Sequence, residues 1–208
     1  MLDFLPMTAS RARQIGRPSA TDHAAIEREA FRLFAEQGFD ETTMEQIADA
    51  VGVGRRTLFR YFPSKNDIPW GQFDQSLAEF RRQLDAQPTD LSVADAVNRC
   101  IVAFNDFPAD AMAQHRTRME LILRTPALQA HSSLRYRAWR AVIASYVAAR
   151  LELQPTDLVP RLAGHTSLAV AITAYEEWLH PDTTLPLHEI LSRSMTALRS
   201  YVAPSTPH

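Results

Sequence analysis

Cysteine is almost absent. Cys100 is the only one in 208 residues, so neither an intramolecular disulfide framework nor a cysteine-based zinc site can form. Long hydrophobic runs are missing as well: no apolar stretch approaches the ~18 residues a membrane span needs. The opening Met1-Leu2-Asp3-Phe4-Leu5-Pro6 carries an acid and lacks the basic segment of a signal peptide, so a cytoplasmic protein is expected. Net charge is only −2, which excludes a protein that coats nucleic acid through bulk positive charge. Catalytic signatures are lacking too, with no Gly-x-Ser-x-Gly, no Walker A and no Gly-x-Gly-x-x-Gly. Glu177-x-x-His180 matches half of a di-iron bundle motif, but no second copy exists. His115, His131, His165 and His188 show no ligand spacing. No catalytic residue, metal site or cofactor is expected.

What is present is helical. Hydrophobic residues at 46% and charged residues at 22% suit a folded protein. Glycine is scarce, alternating apolar runs do not occur, and proline falls between periodic segments, so the fold class is all-α with about nine helices and no strand. The first helix is predicted from Thr21 to Gln37. A second opens at Thr43, where Thr43-x-x-Gln46 forms a capping box, and ends before Gly52. A third covers Arg55 to Phe62, and Ser64-x-x-Asp67 opens a fourth that runs to about Ala86. Five more follow, punctuated by Pro88, Pro108, Pro126, Pro155 and Pro181/Pro186. The domain plan is an arm over 1–18, a three-helix N-terminal unit over 19–66, a body over 67–203 and a tail over 204–208.

Charge is unevenly spread. Gly52 to Lys65 holds Arg55, Arg56, Arg60 and Lys65 with no acid, and residues 111–150 hold seven arginines against Glu120 alone. Either run could be a solvated helix face. In the first run, two short helices flank a tight Gly52-Val53-Gly54 connection, the pattern of a helix–turn–helix. Ile47, Ala48, Val51, Val53 and Leu58 would hold the pair together. Arg55, Arg56, Thr57, Arg60 and Tyr61 are left outward on the second helix, where arginine suits guanine edges or phosphate.

At these residues the chain resembles the TetR family of transcriptional regulators. The resemblance rests on Ala30-Phe31-x-Leu33-Phe34-Ala35-x-x-Gly38-Phe39-x-x-Thr42-Thr43-x-x-x-Ile47-Ala48-x-x-x-Gly52-Val53 and on Thr57-Leu58-Phe59-Arg60-Tyr61-Phe62-Pro63-Ser64-Lys65. Val51, Gly54 and Arg56 depart from the family's usual residues; Gly54 is a tolerable N-cap, and Arg56 adds a long cation that should alter operator choice. Gly16-Arg17-Pro18, Pro126-Ala127-Leu128-Gln129-Ala130-His131-Ser132 and Tyr175-Glu176-x-Trp178-Leu179 extend the similarity to the mycofactocin-system regulators within that family. The resemblance implies double-stranded DNA as partner and a nucleoid-associated place in the cytoplasm. It puts Gly54, Arg55 and Arg56 at the start of the recognition helix, the arginines at base edges. Thr43, Thr57, Phe59, Arg60, Tyr61 and Lys65 fall at phosphates. Arg17 would either reach a minor groove or make no contact.

The resemblance also implies a ligand-binding and dimerising body. Phe104, Phe107, His115, Met119, Leu123, Tyr136, Trp139, Ile143, Tyr175 and Trp178 are the apolar and aromatic supply for a pocket, or simply core. Arg116 and Arg135 belong to the arginine run, which suits an anionic head such as that of a long-chain acyl-coenzyme A. The alternative is that these arginines pair with acids such as Asp106, Asp110, Glu176 and Glu177. The last two helices are apolar on more than one side. Leu168, Ala171, Ile172, Ile190, Leu191, Met195 and Leu198 are therefore expected either at a symmetric homodimer interface or within a monomer's hairpin. The functional expectation is a ligand-released repressor on a palindromic operator. The alternative is a DNA-bound interaction protein whose body holds a protein partner.

Overall fold

The computed structural model describes residues 22–202, and Arg17 with the rest of the N-terminal arm lies outside them. These residues form nine α-helices and one short 3-10 segment, with no strand among them. α1 (His23–Gln37) begins where the Asp22 carboxylate accepts from the Ala25 backbone N–H at 2.7 Å. α2 (Met44–Val51) has both halves of its capping box: Thr43 Oγ1 accepts from Gln46 N, and Gln46 Oε1 accepts from Thr43 N. It stops at Gly52, whose φ of 74° is a left-handed turn that glycine adopts without strain. α3 (Arg55–Tyr61) follows at once.

The predicted fourth helix is interrupted. Ser64 spends its hydroxyl on the Asp67 carboxylate at 2.7 Å and makes no cap bond. A 3-10 turn over Lys65–Trp70 follows, with Pro69 inside it and Gly71 closing it at φ 53°. α4 (Phe73–Asp85) starts only after that break. Then come α5 (Val93–Phe104), α6 (Ala109–Arg124), α7 (Pro126–Leu151), α8 (Leu158–Trp178) and α9 (Leu187–Val202).

Two apolar cores result. The N-terminal one joins α1, α2 and α3 through Ile26, Phe34, Ile47, Leu58 and Phe62, and it draws in Ile68 and Leu128 from beyond the expected boundary at 66. Leu128, at the start of α7, has no exposed surface, so the body plugs directly into the N-terminal unit. The second core is built on Phe80, Ile101, Trp139, Ile143, Ala174 and Leu191, with the Phe80 and Trp139 rings stacked 5.5 Å apart. α7 and α8 meet closely because Gly164 has no side chain: a Cβ there would sit 2.7 Å from the Arg140 carbonyl oxygen.

Candidate functional site

The outer face of α3 carries unburied cations. Arg55 is exposed, pairs with Glu45 at 2.9 Å and lies over the Phe59 ring at 5.4 Å. An exposed pair of this kind contributes about 0–1 kcal/mol, so Arg55 can leave Glu45 at little cost. Arg56 is exposed and makes no hydrogen bond or ion pair among the described residues. Arg60 is exposed over the Tyr61 ring at 5.7 Å, and Tyr61 in turn meets His23 edge-on at 4.9 Å. Thr57 and Phe59 are half-buried, while Thr43 and Gly54 stand at the N-termini of α2 and α3. Lys65 is turned inward instead. Its Nζ donates to the Phe39 carbonyl at 2.6 Å and the Asp40 carbonyl at 3.1 Å, fastening the loop after α1.

Below this face the body holds a cavity of about 150 Å³. It is lined by the 3-10 segment, α4, the end of α5, α6, α7 and α8. Of the expected pocket residues, Phe104, Phe107, His115, Met119, Tyr136, Trp139 and Tyr175 line it. A buried polar chain runs along its wall: Asn105 Nδ2 donates to the Ile101 carbonyl at 2.7 Å, Tyr175 donates to Asn105 Oδ1, and His115 Nε2 lies 2.8 Å from the Tyr175 hydroxyl. Burial, with the Arg118 charge beside it, lowers the His115 pKa to about 4, so the ring is neutral. Burial pushes the Tyr175 phenol far above its usual range.

Two polar tethers brace the surroundings of the cavity, and the first of them reaches the N-terminal unit. Arg118 lines the cavity, bonds the Glu27 carboxylate of α1 and lies over the Phe31 ring at 5.6 Å. Burial raises the Glu27 pKa in spite of Arg118. The second tether is Asp67, which bonds His131 at 3.0 Å and Arg135 at 3.1 Å on α7. Burial opposes its charge, yet the bonds from Ser64, His131 and Arg135 outweigh burial and hold the carboxyl below its usual range.

A family model described as "Bacterial regulatory proteins, tetR family" matches residues 26–68, the unit that carries this exposed basic helix. One described as "MftR C-terminal domain" matches residues 91–203. The chain is 43% identical, over 86% of its length and 89% of the relative's, to MftR of Mycobacterium tuberculosis, a protein assigned to the regulation of mycofactocin biosynthesis. It belongs to the TetR family of transcriptional regulators. TcmR of Streptomyces glaucescens, an HTH-type transcriptional regulator, is 32% identical over 76% of this chain and 74% of its own. Among solved structures the fold is similar to Thermus thermophilus FadR in complex with lauroyl-CoA, at TM-score 0.57 and 21% identity, covering 90% of this chain and 100% of that one. It is also similar to FadR of Bacillus halodurans, at TM-score 0.60 and 18% identity, covering 85% and 97%.

In this TetR-family chain several expected site residues stand elsewhere. Ile143 and Trp178 are buried in the body core, and Leu123 packs against that core rather than the cavity. Arg116 donates to the Trp178 carbonyl at 2.7 Å and lies over its ring, closing the C-terminus of α8. Arg135 belongs to the Asp67 tether. Leu168, Ala171 and Ile172, expected at the dimer face, line the cavity instead. Ile190, Leu191 and Met195 are buried within the chain's own core, and Leu198 packs against it. The large exposed apolar side chains of the last two helices are Leu158, Val159, Leu162, Tyr201 and Val202. Sequence reasoning missed Trp70, Phe73, Ser76, Asn105, Arg118 and Ile122 as lining residues. Arg118 had a legible signal, since it follows His115 by three residues and so shares its helix face.

Proposed function

We propose that this chain is a ligand-responsive repressor that binds a palindromic operator as a homodimer and lets go when a small apolar or amphipathic molecule enters the cavity. One observation carries the reading: Arg118 lines the cavity and also holds Glu27 of the DNA-binding unit. A ligand that shifts Arg118 therefore acts on α1 directly. Such gating requires that the ligand bind the DNA-incompetent arrangement more tightly. The alternative body, one that grips a protein partner, needs no internal cavity, and the cavity favours the ligand.

The homodimer is supported by Leu158 at 76% exposure, Leu162 at 59% and Tyr201 at 86%, on two helices whose other faces are already buried. A two-fold pairing there repeats one patch on both subunits and sets two recognition helices across a symmetric duplex.

The arginine run suggested a long-chain acyl-coenzyme A. Within that run, Arg118, Arg124 and Arg135 pair with Glu27, Glu120 and Asp67, and Arg150 is held by the Thr89 and Leu91 carbonyls. A cavity of about 150 Å³ holds a benzene-sized group, so a long acyl chain would require the surrounding helices to part. The experiment is to select bound duplexes from a random pool and follow binding by fluorescence anisotropy at rising salt. Lauroyl-coenzyme A, coenzyme A and dodecanol are then titrated into the complex. A palindromic consensus with affinity falling steeply in salt supports the DNA face. Salt-insensitive binding removes it. Release by dodecanol as readily as by lauroyl-coenzyme A removes the anionic head from the effector.

A further inference from the structure

Two recesses meet at one side chain. Beside the cavity of about 150 Å³ lies a cleft of about 270 Å³ between the N-terminal unit and the body, lined on its polar side by His23, Asp67, Asp74 and Arg135. Phe73 is the one described residue that lines both. Its ring meets the cavity residue Trp70 edge-on at 5.4 Å, and the guanidinium of the cleft residue Arg135 lies over it at 5.6 Å. The ring therefore stands between the apolar interior and the polar cleft. It is also less firmly held than the other walls. Phe73 is half-buried and is the first residue of α4, whose N-cap Gln72 makes no side-chain bond. Trp139 is stacked on Phe80, and Ile122 is 1% exposed, so both are backed by packed atoms. A rotamer change at Phe73 has the cleft to move into.

We propose that the Phe73 ring is a movable partition: it swings toward the cleft and joins the two recesses into one site for an amphipathic molecule, whose slim apolar chain fills the cavity while an uncharged polar head stays in the cleft. The proposal rests on the cavity being the effector site, and it adds how that site admits a molecule longer than a single ring. The charges of the cleft select the head. Arg135 is shared between Asp67 at 3.1 Å and Asp74 at 3.3 Å, so no unmatched cation awaits a carboxylate or a phosphate. Asp74 is 86% exposed, so an ammonium gains little from it. The movement also has a consequence for the fold. A ring that swings outward meets the Arg135 guanidinium, and so presses on the Asp67 tether that fastens the 3-10 segment to α7.

The probes are the straight-chain alcohols from butanol to decanol, with decanoate and decylammonium as charged counterparts, titrated into the full-length protein by calorimetry. The closed cavity is filled by about six carbons. In the wild-type protein, affinity should nevertheless keep rising about fourfold per methylene beyond hexanol. Phe73→Trp, a wider partition, should end the rise near hexanol, and Phe73→Ala should let it continue. A 4-fluorophenylalanine placed at position 73 reports the ring itself: its ¹⁹F signal should move with decanol and stay with butanol. Decanol should bind at least about tenfold more tightly than either charged counterpart. A wild-type series that levels off at hexanol, a rise that survives Phe73→Trp, or a ¹⁹F signal unmoved by decanol overturns the partition. Decanoate or decylammonium bound more tightly than decanol overturns the uncharged head. Binding of no alcohol at any length removes the effector cavity and the proposal with it. Operator release is scored separately: decanol bound with the ring displaced but the operator retained leaves the joined site standing and removes the gating.

Discussion

His115 shows at single-residue scale how burial becomes pH dependence. A free histidine takes up a proton near 6.5, whereas in the fold this one does so only near 4. Above 6.5 both states are neutral and the residue contributes no slope. Between 6.5 and 4 the unfolded chain holds the extra proton, so stability falls as pH falls. At 1.36 kcal/mol per pKa unit, the loss over that window is about 3 kcal/mol. Urea denaturation at pH 7 and pH 4.5 measures it, and His115→Phe should flatten this part of the curve. Lys65 offers a second case. Its ammonium was expected at a phosphate, but it holds two loop carbonyls, so Lys65→Met should lower thermal stability by about 1.5–3 kcal/mol. An unchanged melting temperature would return Lys65 to the DNA face. Arg56 has no partner among the described residues, so Arg56→Ala should leave folding untouched, cost about 1–3 kcal/mol of operator binding and relax base preference. Competition between specific and scrambled duplexes tests this.

Among the elements, helices with strong local signals were legible in the sequence. The Thr43–Gln46 capping box, the Gly52 turn and the prolines fix most boundaries to within a residue or two. The break between the 3-10 turn and α4 was not legible. Ser64 and Asp67 have the spacing of a helix start, but the Asp67 carboxylate serves His131 and Arg135, more than sixty residues away. No local pattern encodes that partner, and with it went Trp70 and Phe73 as cavity residues. Gly164 is a similar case, ordinary in sequence and decisive in packing. Gly164→Ala would force α7 and α8 apart against a backbone carbonyl, which cannot rotate away. The expected cost is roughly 1–3 kcal/mol, read from chemical denaturation; a neutral result would mean that the two helices slide past each other.

For the whole molecule, periodicity showed that the last two helices are apolar on more than one side but not which side faces inward. Ile190, Leu191 and Met195 are core, which leaves Leu158, Leu162 and Tyr201 as the exposed apolar face that the proposed dimer would cover. Leu162→Glu should therefore yield a folded monomer by sedimentation, with operator affinity greatly reduced because each recognition helix then binds alone. A Leu162→Glu protein that sediments as a dimer would move the interface elsewhere. The solitary Cys100 has a use at this scale too. It sits in α5 at 1% exposure, and burial raises its thiol pKa. Only the thiolate reacts with a disulfide reagent, and only when the helix swings away from the body. Because no other sulfhydryl competes for the reagent, the labelling rate of the unmodified protein is a stopwatch on the breathing of its core. Any compound that settles among those helices should slow it.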